Sequence, residues 1–166
     1  MATKKGKFSR DRADQDLFYI GLHLRGCKKM KVCGSYRRKL NTVGDLDIVV
    51  VPDGNGNGTG LLQSSINDLA DEILASGEKL SHIVLPSGIQ TDFYISSERL
   101  FEAHTLFLTG SKGFNIRSRA IAKKMGYRLS QYGLLNQDGE EVALSEEEIL
   151  ETLGLKDFID PVTRSI

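Results

Sequence analysis

The sequence predicts an α+β fold, and three observations predict it. Apolar stripes at helical spacing are interleaved with short runs rich in β-branched residues. Two turn signals, Pro86-Ser87-Gly88 and Asn136-Gln137-Asp138-Gly139, each separate a pair of candidate strands as a hairpin would. Gly77, Gly110, Gly126 and Gly154 fall where helices must stop. At 166 residues the chain is long enough to bury a core, as one domain or one domain with a small appendage.

The elements follow in order. Leu17, Ile20, Leu22 and Leu24 recur among charged positions, predicting an amphipathic helix that begins after Ser9 and runs to Leu24, preceded by a loose basic tail. Lys31 to Cys33 and Leu46 to Val51 read as strands, the second buried on both faces near its end. Residues 53–60 alternate glycine with small polar residues and predict a loop; no Lys-Ser/Thr follows them, so they form no phosphate-binding glycine motif. Leu62, Ile66, Leu69, Ile73 and Leu74 mark a helix over Leu61 to Leu74 that packs on a sheet. Lys79 to Leu85 and Ile89 to Ile95 are the strands of the first hairpin. Ser96 or Ser97 caps a helix to Leu108, and a second helix covers Lys112 to Met125. Tyr127 to Leu135 and Glu141 to Leu144 form the second hairpin, with Tyr132 packed within it, and Ser145 with Glu148 is a capping box opening a short acidic helix to Leu153.

No apolar run approaches the roughly 20 residues of a membrane span, and Lys4, Lys5 and Lys7 are not followed by a signal-peptide core. The chain is therefore expected in a cytoplasm, the host's if the source is a virus or phage. Cys27 and Cys33 lack the spacing of a zinc site and read as reduced thiols. A net charge of zero conceals segregation: residues 1–39 carry +9, 40–104 carry −8, 105–135 carry +6 and 136–166 carry −7. Two basic blocks around a carboxylate-rich one suggest a polyanion held at two places, with metal ions neutralising the centre.

That centre contains Asp45 and Asp47, two apart at the start of an apolar strand, so both carboxylates share a face about 7 Å apart along the backbone. Asp92 lies in the first hairpin, and if its strand neighbours the other, three carboxylates converge at one sheet edge. Such a set would take two magnesium ions roughly 3.5–4 Å apart, as in-line phosphoryl transfer requires, with manganese a possible substitute. Upstream, Gly34-Ser35-Tyr36-Arg37-Arg38 offers backbone N–H groups, a hydroxyl and permanently charged donors to a phosphate. His23, His82 and His104 show no ligand spacing and read as structural or exposed.

The Gly-Ser turn, the Asp-x-Asp strand and the third aspartate together resemble the nucleotidyltransferase superfamily. Leu106-Phe107-Leu108-Thr109-Gly110-Ser111-Lys112-Gly113-Phe114-Asn115, with Arg117, Arg119 and Tyr127 to Leu134, is similar to the family X DNA polymerases, the group of DNA polymerase beta. The resemblance runs from about Lys31 to Arg164. It implies a tail and helix over residues 1–30, a nucleotidyltransferase palm, a mixed sheet with helices, over 31–106, and a small α/β thumb over 107–166. It also implies residue roles: Asp45 and Asp47 bind both metals, and Asp92 binds the catalytic one and helps deprotonate the primer 3′-hydroxyl. Gly34, Ser35, Arg38 and the backbone of Gly44 hold the triphosphate, with Arg37 as a helper. Phe107, Leu108 and Gly110 line the sugar pocket, Lys112 lies beside the base, and Asn115 and Arg119 reach the minor-groove edges of the new pair and template. Lys123, Lys124 and Arg128 contact DNA phosphates.

Two departures qualify the resemblance. The family's Tyr-Phe before Thr-Gly is here Phe107-Leu108, which puts discrimination against ribonucleotides in doubt, and the arginine often found two before the third aspartate is Gln90. Only about 30 residues precede the palm, too few for the lyase domain and DNA-gripping segments of larger members, so no lyase activity is expected, and the basic block at 1–39 is expected to supply part of that grip. The expected function is template-directed DNA polymerisation, as in short-gap repair, by a monomer acting on primer-template or gapped DNA and deoxynucleoside triphosphates. A template-independent nucleotidyltransferase acting on RNA ends, protein or a small molecule, and an inactive DNA-binding module, remain the alternatives.

Overall fold

The computed structural model describes residues 6–54 and 58–166. Residues 1–5 of the basic tail and 55–57 of the glycine-rich segment lie outside the described residues. In chain order the elements are β1 (Phe8–Ser9), α1 (Arg10–His23), β2 (Cys27–Val32), α2 (Gly34–Arg37), β3 (Thr42–Val43), β4 (Leu46–Pro52), α3 (Gly58–Leu69), β5 (Glu72–Ser76), β6 (Leu80–Val84), β7 (Gln90–Ile95), α4 (Phe101–Thr109), α5 (Lys112–Lys124), β8 (Arg128–Ser130), β9 (Gly133–Leu135), β10 (Glu141–Ala143) and α6 (Glu146–Thr152). Short 3-10 helices at Lys156–Phe158 and Pro161–Arg164 close the chain. Among the described residues no helix is long and apolar enough to cross a membrane.

The main sheet has the strand order β2-β4-β7-β6-β5 and is mixed: β4 and β7 run parallel, every other pair antiparallel. The α+β expectation is met. The β-branched run of β4 explains its place, since Leu46, Ile48, Val49 and Val50 are fully buried and each such side chain contributes roughly 1.5–3 kcal/mol. Ile48 and Val50 face a core shared with Ile20 of α1, Leu62 and Ile66 of α3, and Ile83 and Phe93. Val49 and Val51 face the opposite way, onto Cys33, Phe101 and Leu108. This second contact seats α4 on the sheet face that also carries Asp47. A further core, with Leu106, Phe114, Ala122, Leu134, Ile149 and Leu150, joins α4, α5 and α6 to the small antiparallel sheet β8-β9-β10.

Caps fix the helix starts. Ser9, Ser111 and Ser145 accept hydrogen bonds from the backbone N–H groups of Arg12, Phe114 and Glu148, and the capping box at Ser145 lies where the sequence predicts it. Gly110, at φ +59, separates α4 from α5.

The structure corrects the sequence reading in six places. The loop expected over 53–60 is cut short, because α3 begins at Gly58. The helix expected over Leu61 to Leu74 ends at Leu69, because Ala70 N–H turns back to the Asn67 carbonyl and the following residues pair with β6. Ile73 and Leu74, which continued the helical stripe, are about half exposed on an edge strand. The strand expected over Tyr127 to Leu135 is two strands broken at Gln131 and Tyr132, and Tyr132 is exposed, not packed. The helix expected from Ser96 or Ser97 begins at Phe101, since Ser97 Oγ closes a turn on Leu100 N–H. Phe8 is not part of a loose tail but pairs with Val43. Finally, β4 and β7 are interior strands, so Asp47 and Asp92 sit at mid-sheet and not at an edge.

Candidate active site

The site grows from the junction of β2, α2 and β4. Cys33 N–H donates to the Asp47 carbonyl at 2.7 Å, which brings the start of α2 against the start of β4. Gly34, at φ +59, lies so close that a Cβ there would stand 2.8 Å from Asp47 Oδ2. A side chain is thus excluded twice, by backbone conformation and by the carboxylate. Burial pushes the Cys33 thiol up to about 12, so it is not a nucleophile at neutral pH.

Asp47 and Asp92 are register partners on parallel neighbours, which puts both side chains on one face of the sheet, with Asp45 two residues before. Tyr94, two residues beyond Asp92, directs its hydroxyl to Asp47 Oδ1 at 3.5 Å. Its phenol is held well above the usual range, first by burial and then by the charges of Asp47, Asp92 and Asp45, so the three carboxylates act on one neighbourhood. Asp92 is nearly buried, and its Oδ1 accepts hydrogen bonds from His82 Nδ1 at 2.6 Å and Gln90 Nε2 at 3.0 Å. Burial lowers the pKa of His104, whose ring packs edge-on to Tyr94 at 5.8 Å.

In front of the aspartates opens a cavity of about 530 Å³ lined by Gly34, Ser35, Arg38, Asp45, Asp47, Phe107, Leu108, Gly110, Ser111, Lys112, Asn115, Ile116 and Arg119. Its far wall is the end of α4 and the start of α5. The last carbonyls of α4, which a helix leaves unpaired, are taken up from both sides: Arg38 Nη1 donates to Thr109 O at 2.5 Å and Asn115 Nδ2 to Phe107 O at 2.8 Å. Arg38 Nε also reaches Ser165 Oγ at 3.2 Å. Burial lowers the Arg38 pKa and the nearby Asp47 opposes this, so the guanidinium stays charged.

Most of the expected nucleotide-binding residues therefore come together, with Asp45, Asp47 and Arg119. Gly44 and Asp92 are not on the lining, although Gly44 adjoins Asp45 and Asp92 stands beside Asp47. Lys123 and Arg128 line an adjoining hollow of about 500 Å³ with Arg119, Tyr127 and Ile116; Lys124 is exposed on the same helix. Arg37, expected as a phosphate helper, is committed elsewhere: it grips Glu146 through both nitrogens, at 3.0 and 2.8 Å, and Thr109 Oγ1 at 2.8 Å. Arg164, fully buried, donates to the same Glu146 at 2.5 Å and to the carbonyls of Phe158 and Ile159. Sequence reasoning missed this network and His82. The signal for His82 was in the turn: counting outward from Ser87 pairs Val84 with Gln90 and His82 with Asp92, as observed.

The donors offered to a cation are carboxylate oxygens, which suit a hard divalent ion. Among the described residues no three His, Cys, Asp or Glu side chains close into a ready-made cage. Magnesium needs none, since it binds through one or two carboxylates completed by water and substrate phosphates. Asp45 and Asp47, on the lining of a cavity that Arg38 and Lys112 also line, fit that pattern.

Comparison with known proteins adds four findings. Residues 22–93 match the DNA polymerase beta palm and residues 104–165 the DNA polymerase beta thumb. The chain is 33% identical over 133 residues to the DNA polymerase/3′-5′ exonuclease PolX of Bacillus subtilis, covering 76% of this chain and 23% of that protein. It is 28% identical over 161 residues to DNA polymerase lambda of Rattus norvegicus, covering 80% of this chain and 28% of that protein, so it spans about a quarter of the length of these two relatives. A Repair DNA polymerase X of African swine fever virus is 29% identical over 133 residues, 76% of each chain.

Proposed function

The chain belongs to the family X DNA polymerases, and on that premise we propose that it adds deoxynucleoside monophosphates to a primer 3′-hydroxyl opposite a template base, in the short stretches that fill gaps during repair. The observation that carries this reading is the single cavity in which Gly34, Ser35, Arg38, Asp45 and Asp47 from one matched segment meet Phe107, Gly110, Lys112 and Asn115 from the other. The division into a tail and helix over 1–30, a palm over 31–106 and a thumb over 107–166 goes with it, the cavity lying where palm and thumb meet. The proposed enzyme works as a monomer in the cytoplasm.

Each residue then has a task. Ser35 Oγ and the backbone N–H groups at the start of α2 receive phosphate oxygens, and Arg38 neutralises them. Phe107, Leu108 and Gly110 bound the sugar, Lys112 flanks the base, and Asn115 and Arg119 read the edge of the new pair once Asn115 releases the Phe107 carbonyl. Asp45, Asp47 and Asp92 would hold two divalent ions, which when bound lower the pKa of the attacking hydroxyl and stabilise the leaving pyrophosphate. Asp92, nearest the primer end, accepts the proton of the 3′-hydroxyl as the bond to the α-phosphorus forms.

The test is primer extension on a one-nucleotide-gapped duplex with magnesium, each nucleoside triphosphate being supplied singly, beside an unpaired strand and an Asp92→Ala control. Addition dictated by the template base and lost in the control is expected. Addition on the unpaired strand without regard to base would favour a template-independent transferase, and tight DNA binding without addition a binding module.

A second expectation concerns Lys123, Lys124 and Arg128. Replacing any one with glutamine should weaken binding equally for all DNA sequences and lower the slope of log affinity against log salt by about 1. Salt titrations of a fluorescent primer-template check this, and an unchanged slope would place these side chains away from the phosphates.

A further inference from the structure

We propose that His82 is the positioning residue that sets the orientation of Asp92, an inference that rests on the polymerase reading of this site and deepens it. Asp92 stands on β7 between two register partners whose side chains share its face: Asp47 on the parallel neighbour β4, and His82 on the antiparallel neighbour β6. On one side it meets a carboxylate that repels it, on the other an imidazole that holds it. A carboxylate oxygen only accepts, so Nδ1 of His82 carries the proton and donates it across 2.6 Å to Oδ1. Gln90 donates to the same oxygen at 3.0 Å.

Two donors converging on one oxygen stop the carboxylate rotating, and this makes Oδ2 the oxygen that meets the primer hydroxyl and a cation. Without them the nearby charge of Asp47 would turn the group away. Packing alone does not require the imidazole. On β6 the buried positions are Ser81 and Ile83, whereas His82 points to the opposite face and its side chain is 30% exposed. Among the described residues no arginine or lysine pairs with Asp92, so the amide of Gln90 and the imidazole of His82 hold it.

The test compares wild type with His82→Leu and His82→Asn. Leucine occupies the strand position without a donor. Asparagine carries an amide N–H at the same number of bonds from Cβ as Nδ1 does. Three quantities are read: kcat and KM for the nucleotide in gap filling, and the dissociation constant of manganese(II), followed by electron paramagnetic resonance on protein bound to a dideoxy-terminated primer. His82→Leu is expected to lower kcat and weaken manganese binding by about 10- to 100-fold, as loss of a partner of a ligating group does, with KM unchanged. His82→Asn is expected to recover most of both.

Wild-type kcat and manganese affinity in His82→Leu, or equal impairment of the leucine and asparagine variants, would overturn the proposal. Thermal melts establish that each variant is folded; if leucine is not tolerated, His82→Val, a strand former without a donor, replaces it. A wild-type chain that binds manganese yet adds no nucleotide overturns the polymerase reading alone, and the manganese titrations of the same variants still decide the role of His82.

Discussion

Asp47→Asn is expected to abolish templated addition, and Gly34→Ala, which keeps every charged group, to reduce it by about 100-fold. The first removes a charge from the carboxylate set that faces the cavity. The second acts through geometry. The new methyl would lie 2.8 Å from Asp47 Oδ2, inside any normal contact distance, so the carboxylate must move. A displacement near 1 Å of a group that positions reacting atoms costs on the order of 100-fold in rate. Alanine at φ +59 also costs about 1–2 kcal/mol of stability, too little to unfold the chain. Single-turnover gap filling beside thermal melts separates the two effects. A Gly34→Ala protein that is destabilised but adds nucleotide at the wild-type rate would show that the Asp47 carboxylate does not have to stay where it is.

Arg164→Met should be the most destabilising single change. The side chain is fully buried, and its loss leaves Glu146 with Arg37 as its partner among the described residues and removes the guanidinium donors to the carbonyls of Phe158 and Ile159. Removing one partner of a buried ion pair costs about 3–5 kcal/mol. For a chain of this size that corresponds to a fall in Tm of roughly 6–20 °C. The same network sets a pH dependence. Burial by itself raises the Glu146 pKa, but hydrogen bonds and charge from Arg37 and Arg164 overcome it and hold the carboxyl below its usual range. A lowered folded-state pKa contributes stability that is present above the unfolded value of about 4.5 and lost as pH falls through the folded one. Wild type should therefore lose stability in mild acid more steeply than Glu146→Gln, as denaturant titrations at pH 7 and near pH 4 would measure. Because Arg37 sits in α2 and Glu146 opens α6, the loss should reach the cavity as well.

Much of this was legible before any coordinates. Asp45 and Asp47 stood at the head of a β-branched run, which reads as a strand buried on both faces. The Gly-Ser turn preceded it at a distance that only a short loop could span. The capping box at Ser145 announced its helix. What could not be read was pairing between distant segments. Nothing in the spacing of Arg37 says that its partner is Glu146, 109 residues away, so the guanidinium looked available for phosphate. Ile73 and Leu74 fitted a helical stripe because period alone does not distinguish a helix's last turn from the start of a strand. The outcome was decided by the pairing of β5 with β6. His82 is intermediate, since the turn gave its register but no local motif gave its chemistry.

The two margins of the main sheet bear on how the protein behaves when concentrated. An open strand margin is a template for another chain to add to. One margin, β2, displays Lys28, Lys29 and Lys31 and shifts register between Cys27 and Lys29. The other, β5, exposes Ile73 and Leu74 but begins with Glu72 and shifts register between Ile73 and Ala75. Like charge at one margin and a register shift at both oppose strand addition, and the sheet ends at five strands.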